Sequence, residues 1–196
     1  MVVDYNLVDQ ILEIEWEMFQ AVKSASPASC QNAPDSFRKI RGSIFETWPN
    51  EILESYLDDL KNAQNSGKNL LTEKYARMDN LIPLLNANPL INEIVNIETD
   101  WQKELKKKYP SIYALSCRGM DPVKNGSNFS VYLKCELETY SNRTIERYYS
   151  HVKKAFENKK NIAVKAMDRL VKKAGYKDIE HAENYLTTTG KAGGKK

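Results

Sequence analysis

Apolar residues recur at intervals of three and four along most of the chain. Val8, Ile11, Leu12, Met18, Phe19 and Val22 fall on one face of a first helix, and Phe37, Ile40, Ile44, Phe45 and Trp48 on one face of a second. The run Thr47-Trp48-Pro49-Asn50 breaks that helix and opens a third, with Thr or Asn to cap it and Pro49 suited to its first turn. Gly67 ends the third, and a fourth, around Lys68 to Asn80, stops before Pro83. The order then returns. Ile91, Ile94, Val95, Trp101 and Leu105 mark one helix, Phe129, Tyr132, Leu133 and Tyr140 the next, and Thr139-Tyr140-Ser141-Asn142 breaks it. A helix around Lys160 to Ala174 stops at Gly175, and a short one follows from Lys177 to Tyr185. β-branched alternation is absent, so the pattern predicts an all-α helical bundle.

The return is a duplication. FETWPNEILESYLDDLKNAQNSGKNL from Phe45 has a faded copy, LETYSNRTIERYYSHVKKAFENKKNI, from Leu137. Phe37 to Met78 aligns with Phe129 to Leu170 without a gap, at a constant shift of 92 (129 − 37). Identities fall at Phe37, Glu46, Thr47, Asn50, Glu54, Tyr56, Lys61, Ala63, Lys68, Asn69 and Arg77, too many for coincidence over that length. Upstream, Ile11, Ile14 and Glu15 match Ile94, Ile97 and Glu98, while Ser29-Cys30 matches Ser116-Cys117. The shift changes at the cysteines, so SPASCQNAPD and ALSCRGMDPVKNGSN read as equivalent loops of unequal length. The expectation is one domain over residues 1–187, made of repeats 7–80 and 90–175 and a short C-terminal helix. The repeats would pack about a pseudo-twofold axis, and residues 188–196 would form a disordered basic tail.

Polar residues interrupt the apolar faces. Glu15 lies near the centre of the first stripe and Glu98 near the centre of its copy, Arg41 lies among Phe37, Ile40, Ile44 and Trp48, and Glu136 among Phe129, Tyr132, Leu133 and Tyr140. A buried unpaired charge costs several kcal/mol, so these groups must pair, lose their charge or meet a ligand. Two matched carboxylates facing inward are expected to meet between the repeats, as general acid and base or as ligand groups. Arg41 would clamp a carboxylate in bidentate fashion, with Arg118 as a second cation and Glu136, Cys30 and Cys117 around the site. Three carboxylates against one or two arginines leave a surplus that a shared proton, a cationic substrate or a divalent metal would answer. The alternative is a structural network that fixes register, as buried Glu and Arg form in other helical bundles. Arg41 and Glu136 are not equivalent, since their counterparts are Leu133 and Ile44, so one side of the bundle is chemically distinct.

The remaining candidates carry less. No histidine falls near the cysteine loops, so Cys30, Cys117 and Cys135 read as structural thiols, and their spacing matches no local zinc pattern. His151 reads as a solvated surface residue, and no Glu-x-x-His pair supports a di-iron carboxylate bundle. The aromatic residues read as core, and the lysine runs at Lys106 to Lys108 and Lys172-Lys173 as solvated helix ends. Gly190-Lys191 lacks the first glycine and the hydroxyl of a phosphate loop.

Composition narrows the class. The 196 residues, 41% hydrophobic and 10% aromatic, are ordinary for a globular protein. The net charge of +3 disappears once Lys191, Lys195 and Lys196 are set aside, which argues against a nucleic-acid partner. No run is apolar enough to span a membrane, MVVDYNLVDQ lacks the basic and then apolar order expected of a signal peptide, and an odd count of three cysteines suits a reducing compartment. A cytoplasmic location is expected. On EIEWEMF at Glu13 to Phe19, ASCQ at Ala28 to Gln31, Phe37 with Arg41 and Trp48, and YLKCELETYS at Tyr132 to Ser141, the chain resembles a bacterial family of helical domains of unknown function, similar in length to these 196 residues. The resemblance spans nearly the whole chain and implies a bacterial, cytoplasmic domain, with no reaction, cofactor or catalytic residue attached. Function is therefore expected to be either small polar-molecule or metal binding, with possible enzymatic chemistry, at an inter-repeat site, or a noncatalytic helical protein-protein interaction module. Cofactor, oligomeric state and metal stay unassigned.

Overall fold

A computed structural model of the chain describes residues 3–23, 29–116, 119–120 and 128–190. Among them it is all-α, with helices α1 (Tyr5–Gln20), α2 (Pro34–Phe45), α3 (Asn50–Asn65), α4 (Leu70–Met78), α5 (Leu90–Lys108), α6 (Pro110–Ser116), α7 (Phe129–Leu137), α8 (Asn142–Glu157), α9 (Ile162–Lys173) and α10 (Ile179–Thr189). A 3-10 turn at Ser29–Asn32 precedes α2. Asp4 caps α1 by accepting from the amides of Asn6 and Leu7, which satisfies donors that the first turn leaves over. Ser141 caps α8 through the amide of Thr144. Pro49 stands one residue earlier than the sequence suggests: it is the N-cap of α3, without a side-chain cap bond, and Pro34 takes the first helical position of α2.

Helix packing groups the elements into two sets along the chain. α1 packs on α2, α3 and α4, and α5 packs on α7, α8 and α9. Between the halves α3 lies on α8, α2 on α9 and α4 on α7. Ile11, Ile52, Leu53, Leu60, Ile94, Ile145 and Val152 have no measurable exposure where α1, α3, α5 and α8 converge. Full burial of each such side chain is worth ~1.5–3 kcal/mol, so this contact supplies much of the folding free energy.

Several duplicated residues make the same bond in both halves. Asn69 donates to the carbonyl of Met18 and caps Thr72, while Asn161 donates to the carbonyl of Trp101 and caps Val164. Arg77 pairs with Glu138 at 2.7 Å and Arg169 with Glu46 at 2.9 Å, so each ion pair joins one half to the other. The turn after α3 uses Gly67 at φ 67°, and the turn after α8 places Lys159 in the same left-handed region at φ 54°. Several identities of the alignment are thus fold-holding residues.

The structure also differs from the sequence reading in the second connection and at the C-terminal end. The second connection begins with a helix: α6 packs on α5 and α10, and Ile112 and Tyr113 join Leu105, Met167, Val171, Ile179 and Ala182 in a second apolar cluster. Helix α10 runs to Thr189 with Gly190 as its left-handed cap, so residues 188–190 are ordered helix end rather than tail, and 191–196 lie outside the described residues. Lys173 is exposed at the end of α9, as expected, and also pairs with Glu46.

Candidate functional site

Four charged side chains meet between α1, α2, α4 and α7. Glu15, with no measurable exposure, accepts from Arg41 twice, from Nε at 2.8 Å and from Nη2 at 2.5 Å, and from the Tyr56 hydroxyl at 2.7 Å. The same Nη2 donates to Glu136 Oε1 at 2.9 Å, which also accepts from Tyr140 at 3.0 Å, and Lys74 Nζ donates to Glu136 Oε2 at 2.5 Å. Lys74 Nζ further lies 3.5 Å from the ring centroid of Tyr132, and the Arg41 guanidinium 4.8 Å from that of Phe45. Arg41 is thus the bridge between a carboxylate of the first half and one of the second.

Arg41, Lys74 and Glu136 hold their charges. Burial pushes the carboxyl of Glu136 up, but Arg41 and Lys74 outweigh it and bring the pKa down to about 2. Burial works against the cations of Arg41 and Lys74, yet Glu136, with Glu15 on Arg41, raises both above their ordinary values. The hydroxyls of Tyr56 and Tyr140 are raised well above the usual phenol range by burial and by the neighbouring carboxylates, and so remain donors. Two cations balance two carboxylates. The surplus expected from sequence does not exist at this site, because Lys74 joins it and Glu98 does not.

Glu98 has its own environment. It accepts from the Tyr148 hydroxyl, as Glu15 accepts from Tyr56, the residue 92 positions earlier (148 − 56). The position matching Arg41 is Leu133, however, and among the described residues no guanidinium acts on Glu98. Burial raises its pKa to about 7, with Glu136 adding to the effect and the Tyr148 bond opposing it. Among the described residues the two matched acids share no hydrogen-bond partner, Glu15 bonding Arg41 and Tyr56 and Glu98 bonding Tyr148, which corrects the expectation that they meet as an acid–base pair. Between them lies an aromatic bridge: Trp48 is 4.9 Å from Tyr148 and 5.9 Å from Tyr56, ring centre to ring centre.

The other expected site residues fare differently. Cys117 and Arg118 lie outside the described residues, as does the side chain of Cys30. Cys135 is buried on α7, and burial pushes its thiol up, away from the reactive thiolate. His151 is partly buried rather than solvated, with Nε2 enclosed and a pKa lowered by burial and by Lys165. No group of three or more His, Cys, Asp or Glu side chains among the described residues is placed to hold a metal ion. Around Arg41 the seat between the carboxylates is taken by the guanidinium itself.

A cavity of about 280 Å³ opens over the cluster, with Glu15, Arg41, Lys74 and Glu136 among its lining groups and Phe19, Phe37, Leu71, Tyr75 and Tyr132 on its walls. That size is near the lower end for small-molecule sites, which run to ~300–1,000 Å³, with mostly apolar walls and a few convergent polar groups. The bonds that join Arg41 to the carboxylates leave from Nε and Nη2, and Nη1 takes part in none of them. Of the three ammonium protons of Lys74, one serves Glu136. Sequence reasoning missed Lys74, although its place one turn after Leu70 and beside Tyr75 puts it on the buried side of α4.

No helix among the described residues is long and apolar enough to cross a membrane. Comparison with known proteins finds no match among the curated proteins and none among solved structures. A family model, described as a protein of unknown function (DUF4125), matches residues 5–184, and the chain belongs to that family.

Proposed function

We propose that the cavity over Arg41 and Lys74 binds a small molecule with an apolar or aromatic body and a hydrogen-bond-accepting head, a carboxylate or a carbonyl. One observation carries the reading: the carboxylates of the cluster already accept from several donors each, whereas Arg41 Nη1 and part of the Lys74 ammonium keep donors that the cluster does not use. A cationic ligand would have to displace Arg41 or Lys74. An acceptor needs no displacement. Glu15 and Glu136 act in this reading as counter-ions that hold the two donors charged and in place, and a bidentate Arg–carboxylate contact supplies direction as well as affinity.

The test is ligand-observed NMR with phenylacetate and hexanoate against phenethylamine and hexylamine. The acids are expected to bind and the amines not, and Lys74→Met weakens the acids several-fold. Ser36→Trp, at the cavity mouth, is expected to block them without touching the cluster. Preference for amines, or equal binding by wild type and both variants, overturns the reading.

A noncatalytic interaction module is the second reading, favoured by the connection after α4, where Leu81, Leu84 and Leu85 are 75%, 51% and 39% exposed. Light scattering on wild type and on Leu81→Ser with Leu84→Ser tests it for self-association: loss of a larger species on substitution supports it, and a monomer in both removes it.

A further inference from the structure

A second cavity, of about 580 Å³, abuts the first, and Ile40, Arg41 and Tyr132 line both. It is the counterpart of the charged cavity under the 92-residue shift. Where the first presents Lys74, Glu136, Leu71 and Tyr75, the second presents Ala166, Ile44, Ala163 and Met167. Charges became alkyl groups, and two walls became smaller, so duplication produced an apolar and larger chamber beside a polar and smaller one. Ile40 and Tyr132 are themselves equivalent positions, which is why each helps to line both chambers.

We infer that the two cavities are one binding site for an amphiphile, in which Arg41 and Lys74 hold a carboxylate head and the chamber around Ala163, Ala166 and Met167 takes an extended alkyl or acyl chain. This rests on the head-group reading of the first cavity and names the class of molecule it serves. Continuity at Arg41 is the central observation, because Arg41 lines both chambers and a carboxylate held by it starts at their common wall. A second is Gln102, whose Oε1 is enclosed in the wall of the apolar chamber without a hydrogen-bond partner among the described residues. A buried acceptor left alone is unfavourable, and a hydroxyl or amide N–H carried on the chain would satisfy it. Ile40 and Leu115, exposed at 47% and 37%, supply apolar surface where the chain would leave the chamber.

The experiment is a calorimetric series of straight-chain carboxylates, from butanoate to dodecanoate, against wild type, Ala166→Phe and Ala163→Leu. In wild type the affinity is expected to rise by about fourfold for each buried methylene until the chamber is full. Both substitutions put volume into the chamber and are expected to flatten that rise while leaving butanoate affinity unchanged, and unaltered circular dichroism shows that the variants fold. Butanoate binding without dependence on chain length overturns the two-chamber inference and leaves the head-group reading standing. A rise that is as steep in Ala166→Phe and Ala163→Leu as in wild type overturns it too. Failure of every chain length to bind overturns both.

Discussion

Arg41→Met isolates the energetics of the charged cluster. Arg41 supplies two of the three hydrogen bonds to Glu15 and one of the three to Glu136. Its loss leaves Glu15, which has no measurable exposure, with Tyr56 alone, while Glu136 keeps Lys74 and Tyr140. Removing one partner of a buried ion pair costs ~3–5 kcal/mol, since the remaining charge has neither water nor a counter-ion. Replacing both charges by neutral groups is far cheaper, because the desolvation penalty leaves together with the attraction. Glu15→Gln alone leaves Arg41 on Glu136, and the double variant Glu15→Gln with Arg41→Met keeps an acceptor for Tyr56 and no lone charge at Glu15. Urea unfolding at neutral pH, with unchanged m-values as the two-state check, should give ~3–5 kcal/mol for Arg41→Met and a coupling of ~2–3 kcal/mol recovered in the double variant. The cost should persist at about 1 M salt, where exposed pairs are screened and buried ones are not. A cost below ~1 kcal/mol, or no coupling, would refute the argument, for it would mean that Glu15 finds solvent or another cation in the folded protein.

Three further outcomes follow from the duplicated positions. Glu98 titrates at about 7 in the folded protein against an ordinary 4.5, so the folded state holds the proton more tightly, and its contribution is present below pH 4.5 and lost as pH rises toward 7. Glu98→Gln should match wild type near pH 4.5 and be more stable by about 2–4 kcal/mol at pH 8, in urea titrations across that range; parallel pH profiles would contradict it. Arg77→Met should cost more than Arg169→Met, because among the described residues Glu138 pairs with Arg77 alone whereas Glu46 keeps Lys173; the reverse order of unfolding midpoints would contradict it. Lys159→Gly should stabilise by up to ~1 kcal/mol, as a left-handed φ of 54° costs a side-chain-bearing residue what Gly67 avoids in the other half; a lower melting temperature would contradict it.

The helices, their apolar faces and the anomaly of acids on those faces were all legible in the sequence. Helical periodicity is local: 3.6 residues per turn fixes which side chains share a face before any partner is known. Glu15, Arg41 and Glu136 could therefore be singled out together, and they do bond to one another. Periodicity also places Lys74 on the inner face of α4, yet a lysine there reads as a long stem carrying its charge to water. Only the packing of α4 on α7 turns that stem toward Glu136.

Tertiary structure decided which faces meet, and that depends on the order and angle in which helices pack, which no single stretch of chain encodes. Glu15 and Glu98 occupy matched positions on α1 and α5 and both bond a matched tyrosine, yet one is ion-paired and the other carries a raised pKa, because α2 brings Arg41 to the first while α7 brings Leu133 to the equivalent place. The same packing made two adjoining chambers of the two copies, with charge in one and alkyl walls in the other. Sequence determined the elements and their buried polar residues; the three-dimensional arrangement determined which of those residues compensate one another, since a charge is stabilised by what lies within a few ångströms of it in space and not by its neighbours along the chain.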